Sequence, residues 1–328
     1  MSIFYAIEQG LSLHKDGERL IAKKEGKVLK VIHFHNLEQL VIIGRISLSP
    51  AVIFTLLKRG IDTVFLTTSG KYLGRLSPLM SKNIELRIKQ FERLKEFDFK
   101  LEIAKAVIKG KIENQRMLLR RINRKGLGLE DTILKLKKFV QKVDEETNIE
   151  SLRGIEGSAS RLYFSAYAKG FLEEVNFLKR ERRPPKDPVN ALLSLGYTLL
   201  FSNIFSIISM VGLDPYFGCY HTIDYGRPSL VLDLMEEWRP VIVDTLILSI
   251  FNLKVIKEED FTKDEEGLYL ARDGWRKFIS QFERKMAEKV THPLKAAKIS
   301  YRSYMEEQTR LFVRALKGED KYRAAVFR

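Results

Sequence analysis

Residues 189–213 are 25 consecutive positions without a charged side chain. A run of that length is stable in two settings: the hydrocarbon of a bilayer, or the centre of a helical domain large enough to surround it. The run contains Asn190, Ser194, Tyr197, Thr198, Ser202, Asn203, Ser206 and Ser209, and Asp244 interrupts the next apolar stretch, so no second comparable segment follows. It therefore reads as the central buried helix of a helical domain. A chain of 328 residues, 45% hydrophobic and 30% charged, can build such a core without staples and has room for about two domains. The single cysteine, Cys219, excludes an internal disulfide framework and a multi-cysteine zinc site. The segment Met1–Gly10 carries Glu8 and lacks the basic start and apolar run of a secretory signal, so the expected compartment is the cytoplasm.

Two textures divide the chain and predict an α+β protein: a β-rich N-terminal domain over 1–77 and a larger all-α domain over 78–328. Short segments at Ile3–Ile7, Leu11–His14, Leu20–Lys23, Val28–Phe34 and Gln39–Gly44 read as strands, separated by Gly10, Asp16-Gly17, Glu25-Gly26 and Asn36. Ser47–Gly60 reads as a helix with Ser49 as cap, Pro50 in the first turn and Gly60 at its end. Asp62–Leu66 and Gly70–Leu76 form a strand pair. Beyond Pro78 the spacing turns helical, over 81–97, 99–124, 130–143, 149–180 with a break near Gly154, 189–211, 230–253 with a kink at Pro240, 274–290 and 294–317.

Lys and Arg number 57 against 42 acids, a net charge of +15. Nucleic acid, an anionic membrane surface and plain solubility are the candidate reasons. The charge is clustered. Residues 99–125 hold nine Lys/Arg and only Glu102 and Glu113 as acids, with Asn114 and Gln115 among them, and a second cluster spans 179–186. That is the footprint of phosphate binding; a solvated helix face gives the same pattern.

Of five histidines, His33 and His35 alternate along a strand without an acid nearby. His221 is different. It follows a Gly/Pro-containing loop after the uncharged run and precedes an apolar segment carrying Asp233, Glu236 and Glu237. On a helix Asp233 and Glu236 share a face, and acids in an apolar run need a cation, an arginine or a metal. Spacing alone leaves a His/carboxylate metal site and an ion pair with Arg239 both open. Glu156, between Gly154 and Gly157 and near Ser158 and Ser160, is a second candidate, equally readable as a carboxylate facing a helix N-terminus. No Walker A, G-x-G-x-x-G or G-x-S-x-G pattern is present.

Ordered segments along nearly the whole chain resemble one family. They are Arg45-Ile46-Ser47, Gly60-Ile61-Asp62, Tyr72-Leu73-Gly74-Arg75-Leu76, Lys111-Ile112-Glu113-Asn114-Gln115, Ile155-Glu156-Gly157 with Tyr163-Phe164, Asp187-Pro188-Val189-Asn190, Gly218-Cys219-Tyr220-His221 and Ser229 through Glu236. The family is the endonuclease/integrase of CRISPR spacer adaptation, numbered one among the CRISPR-associated proteins. The resemblance implies a β-rich domain used for homodimerisation, a helical catalytic domain and a small partner protein of the same adaptation complex. It also implies double-stranded or branched DNA as substrate, and Mn²⁺ or Mg²⁺ held by Glu156, His221 and Glu236, with Asp233 as the alternative third carboxylate. The implied chemistry is attack on a phosphodiester by water or by a DNA 3′-hydroxyl. Arg116, Arg120, Arg182 and Arg183 are the residues expected to hold the DNA backbone. The rival reading is a basic, non-catalytic nucleic-acid scaffold; a membrane-surface role is a third.

Overall fold

The computed structural model describes residues 2–77, 83–172, 175, 177, 179–181, 185–264, 267–293 and 297–327. Glycine turns cut the first part into short strands: β1 (Ser2–Ala6), β2 (Ser12–Asp16), β3 (Arg19–Lys24), β4 (Lys27–His33), β5 (Leu37–Ile43), β6 (Ser47–Leu48), β7 (Asp62–Leu66) and β8 (Tyr72–Leu76). They form two four-stranded sheets, ordered β1-β5-β7-β8 and β4-β3-β2-β6. The central strand β5 pairs in parallel with β1 and β7 and is almost continuously apolar, as a strand covered on both faces must be. Leu13, Leu20, Phe34, Leu40 and Ile42 pack there with Val52 and Leu56 of helix α1 (Pro50–Arg59). The ends of α1 are as expected: Pro50 opens it and Gly60 closes it at φ +69°. Ser49 occupies the cap position, but its side chain makes no capping bond. His33 and His35 do not alternate along one strand, because β4 ends at His33 and a 3₁₀ turn covers Phe34–Asn36.

The middle of the chain is helical: α2 (Ile84–Lys95), α3 (Phe97–Asn123), α4 (Glu130–Glu145), α5 (Ile149–Tyr167), α6 (Pro188–Val211), α7 (Ser229–Met235) and α8 (Thr245–Asn252). Helix α6 is the uncharged run. It is long and apolar enough to cross a membrane, yet most of it is buried inside the protein. Four of its polar side chains are satisfied locally, as Ser194, Thr198, Asn203 and Ser206 each donate to the carbonyl four residues back. Helix α5 runs unbroken through Gly154 and ends at Tyr167, contrary to the expected break. Between α7 and α8 the helix neither stops nor stays regular. It tightens to 3₁₀ over Glu236–Trp238 and widens to a π-turn over Arg239–Asp244. Pro240 has no N–H to donate to the preceding turn, and its own carbonyl accepts from Thr245 Oγ1 at 2.8 Å.

The chain gathers into two compact units, 1–80 with 258–279, and 81–257 with 280–328. Residues 258–279, expected in the helical domain, thus belong with the sheets. They hold a hairpin of β9 (Phe261–Asp264) and β10 (Gly267–Leu270) and the start of α9 (Arg272–Ala287). Trp275 Nε1 donates to the Thr68 carbonyl at 3.1 Å, and Arg276 pairs with Glu8. The second unit ends with a hairpin of β11 (Lys289–His292) and β12 (Ala297–Ser300) and helix α10 (Tyr301–Lys317). The larger domain is therefore helical but not free of strands.

Candidate active site

Helices α3 and α5 pack side by side, and the irregular turn after α7 packs on α3. This brings together three residues far apart in sequence: Lys111 on α3, Glu156 on α5 and Glu236 at the first position beyond α7. Lys111 lies on the stripe of α3 that also buries Val107, Ile108, Ile112 and Gln115, so its amine is drawn into the interior and must find anions there. It finds two: the ammonium contacts Glu156 Oε1 and Glu236 Oε2. Ser160, one turn along α5, donates to Glu156 Oε1 at 2.8 Å, and Arg239 Nε donates to Glu236 Oε1 at 3.1 Å. Glu236 Oε2 is buried and is held by Lys111.

His221 comes to this cluster from the loop after α6. Gln90 pins the loop by donating to the carbonyls of Asp214 and Phe217 and accepting from Asp214 N. Asp233 then fixes its end: the fully buried carboxylate accepts from the backbone N–H groups of Cys219, Tyr220 and His221 at 2.6, 3.0 and 2.8 Å, and pairs with His221 Nδ1 at 2.7 Å. Gly218 permits this approach, since a Cβ there would collide with the Asp233 carboxylate and the Leu230 backbone nitrogen. With Nδ1 engaged by the carboxylate, Nε2 is the ring nitrogen that faces the site, 3.8 Å from Glu236 Oε1. Asp233 thus orients the histidine, and its oxygens are already engaged.

Electrostatics keep both glutamates ionised. Burial opposes charge on Glu236, but the Arg239 guanidinium and the Lys111 ammonium overcome it and hold the carboxyl down at about 2. Burial also opposes charge on Glu156, and Lys111 again reverses the balance, lowering it. Lys111 itself is raised because the two carboxylates outweigh its desolvation. Among the described residues no three His, Cys, Asp or Glu side chains are arranged to hold a metal ion directly; the lysine nitrogen lies where the two glutamates converge. The pocket is accessible from one side. Glu156 and His221 are 22% and 26% exposed.

The expected DNA-binding arginines do not join this cluster. Arg116 and Arg120 lie roughly 140° and 180° around α3 from Lys111. Arg116 pairs with Glu113, and exposed Arg120 touches Met117. Arg182 and Arg183 lie outside the described residues. Asn114, expected among phosphate ligands, is buried: it donates to the carbonyls of Glu237 and Ala325 and accepts from Phe327 N. Arg239 contacts Glu236 directly, and Arg153 donates to the Tyr220 carbonyl beside His221. Buried Cys219 is no nucleophile, since burial raises its thiol well above the usual range.

The profile of the family described as CRISPR associated protein Cas1 matches residues 4–284. The chain belongs to the Cas1 family. A CRISPR-associated endonuclease Cas1 of Thermus thermophilus is 37% identical over 97% of this chain and 95% of its own length. One from Thermodesulfovibrio yellowstonii is 38% identical over 89% and 93%. A Cas1 protein from Thermotoga maritima superposes with a TM-score of 0.85 at 26% identity, over 99% of this chain and 100% of that one. A chain of a Cas6-RT-Cas1–Cas2 complex matches at TM-score 0.86 and 27% identity, over 99% of this chain and 36% of that larger one. A casposase bound to integration product shares the fold, with TM-score 0.89 and 23% identity over 99% and 93%. The α+β architecture expected for the family is the one observed.

Proposed function

We propose that the protein is a metal-dependent DNA endonuclease/integrase that inserts new spacer DNA into a CRISPR array. The observation that carries this reading is the convergence of Glu156, Glu236 and the Nε2 face of His221 on one accessible pocket, in a chain whose relatives bear the name endonuclease. The donor set of two carboxylates and one imidazole suits Mn²⁺ or Mg²⁺. One feature of the pocket fits a cation: both glutamates already gather around one positive charge, the Lys111 ammonium. Glu156, Glu236 and His221 Nε2 would hold the metal, with Asp233 locking the ring from behind. Bound there, a divalent cation polarises the scissile phosphate and neutralises charge on the leaving oxygen.

The protein's own groups do the rest. Ser160 and Arg239 orient the two carboxylates. The exposed side of Glu156 and His221 would admit a DNA strand, whose 3′-hydroxyl, or a water, attacks the phosphodiester phosphorus as the P–O bond to the leaving oxygen breaks and that oxygen departs as a hydroxyl. Arg116 and Arg120 would meet the duplex backbone away from the carboxylates, and Arg182 and Arg183 are proposed as further backbone contacts, supplying affinity without sequence reading. A small Cas2-like partner is proposed from the complex that contains a similar chain. A homodimer is proposed through the β-rich unit, where edge strand β4 exposes Val28, Leu29 and Val31.

The test is a cleavage and strand-transfer assay with branched and linear DNA, Mn²⁺ or Mg²⁺ and a chelator control, with and without the partner. Glu156→Ala, His221→Ala and Glu236→Ala are run beside the wild type, and folding is checked by circular dichroism. Metal-dependent joined products that vanish in all three folded variants are the expected outcome. DNA binding without any metal-dependent product would favour a non-catalytic scaffold.

A further inference from the structure

We propose that Lys111 is the internal counter-ion of the site: its ammonium binds Glu156 and Glu236 together until a divalent cation arrives, and the cation must displace it. The inference rests on the metal-site reading above and adds a residue to it. Three observations carry it. Lys111 is buried on α3, with only 9% of its side chain exposed. It bonds to one oxygen of each glutamate and so links α5 to the turn after α7. Among the described residues no three potential ligands are arranged to take a metal directly, and the position between the two carboxylates is filled by the lysine nitrogen. An ammonium and a divalent cation seek the same oxygens, and in a buried pocket two positive centres between the same two carboxylates repel strongly. Metal affinity is therefore reduced by the ion pairs it has to break, and the metal-free fold is protected from two unpaired buried acids.

The account separates Lys111 from its neighbour Lys109, about half a turn away on the same helix. Lys109 pairs with Asp144 on the surface at 2.6 Å. Substituting either removes one positive charge from α3, but only Lys111 touches the glutamates.

The experiment is calorimetric titration of Mn²⁺ into metal-free wild type, Lys111→Met and Lys109→Met, with Glu156→Gln as a site control and a thermal melt of each in chelator. Lys111→Met is expected to bind Mn²⁺ at least about ten-fold more tightly than wild type, to melt lower in chelator and to gain more from added Mn²⁺. Lys109→Met is expected to match wild type, and Glu156→Gln to lose binding. Wild-type binding that is abolished by Glu156→Gln but not tightened by Lys111→Met overturns the counter-ion role and leaves the metal site standing. No Mn²⁺ binding by wild type or by Lys111→Met overturns both. Should Lys111→Met fail to fold, Lys111→Gln and crystal structures of the wild type with and without Mn²⁺ decide. Withdrawal of Nζ from at least one carboxylate on metal binding supports the proposal, and an unmoved Nζ ends it.

Discussion

Glu236 and Asp244 are both buried acids at opposite ends of one distorted turn, and they are served in opposite ways. Glu236 is held by cations, Arg239 and Lys111. Asp244 is held by phenols. Tyr163 and Tyr197 donate to its carboxylate at 2.7 and 2.5 Å, and Tyr167 donates to its backbone carbonyl at 2.9 Å. Glu236 stays ionised at about 2, whereas burial outweighs the tyrosines and pushes Asp244 up to about 6. The two are joined through Arg239, whose guanidinium lies over the Tyr197 ring at 4.7 Å. A buried acid surrounded by neutral donors is a fastener, since nothing there can be exchanged for a ligand. A buried acid surrounded by cations, one of them on a flexible stem, is a site whose positive charge can be replaced.

Glu236→Gln and Asp244→Asn separate the two ends most sharply. Glu236→Gln should lower metal-dependent strand transfer at least about 100-fold, beyond the 10–100-fold expected for residues that only orient ligands, with the fold retained by circular dichroism. Asp244→Asn should leave the rate within a few-fold wherever the protein is folded; a loss equal to that of Glu236→Gln would erase the distinction. Asp233→Asn should fall between them, at about 10–100-fold, because an amide in place of the carboxylate turns a donor toward the backbone N–H groups and loosens His221.

Stability should show the contrast in the other direction. Tyr197→Phe takes a donor from buried Asp244 and should cost about 1–3 kcal/mol in denaturant unfolding.

The pH dependences have opposite signs. The Glu236 carboxyl is lowered on folding, so its contribution is present above about 4.5 and lost as pH falls towards about 2. The Asp244 carboxyl is raised from 3.8 to about 6, so its contribution is present at low pH and lost as pH rises across that interval. Unfolding free energies of the two variants against wild type should therefore diverge in opposite directions with pH, each by on the order of 2–3 kcal/mol. Parallel profiles would refute the assignment. The smallest effect is at the surface: Arg116→Ala and Arg120→Ala should each reduce the salt slope of DNA binding by about one and change stability by less than about 0.5 kcal/mol.

How much of this was legible in the sequence follows from range. Strand and helix boundaries set by Gly10 and Gly60 were readable because turn chemistry is local. The β11–β12 hairpin was not, since its short strands sit inside stretches whose spacing also suits a helix. Glu156, His221 and Glu236 could be nominated from a family resemblance, but Lys111 could not be separated from eight other basic residues between 99 and 125. Its sign suggested phosphate, and only the packing of α3 on α5 turns it inward. The role of Asp233 was hidden similarly. A carboxylate three residues from Glu236 looks like a spare ligand until Gly218 brings three backbone N–H groups onto it.

The central claim is that Glu156, His221 and Glu236 together hold a divalent cation, with Asp233 outside the ligand set. Anomalous diffraction from a crystal of the wild-type protein soaked in Mn²⁺ tests it most directly. The account requires a peak within ligand distance of both glutamates and of His221 Nε2, with Asp233 still bonded to the backbone of 219–221. A peak that takes Asp233 in place of Glu236, or Mn²⁺ bound only elsewhere on the protein, would contradict it.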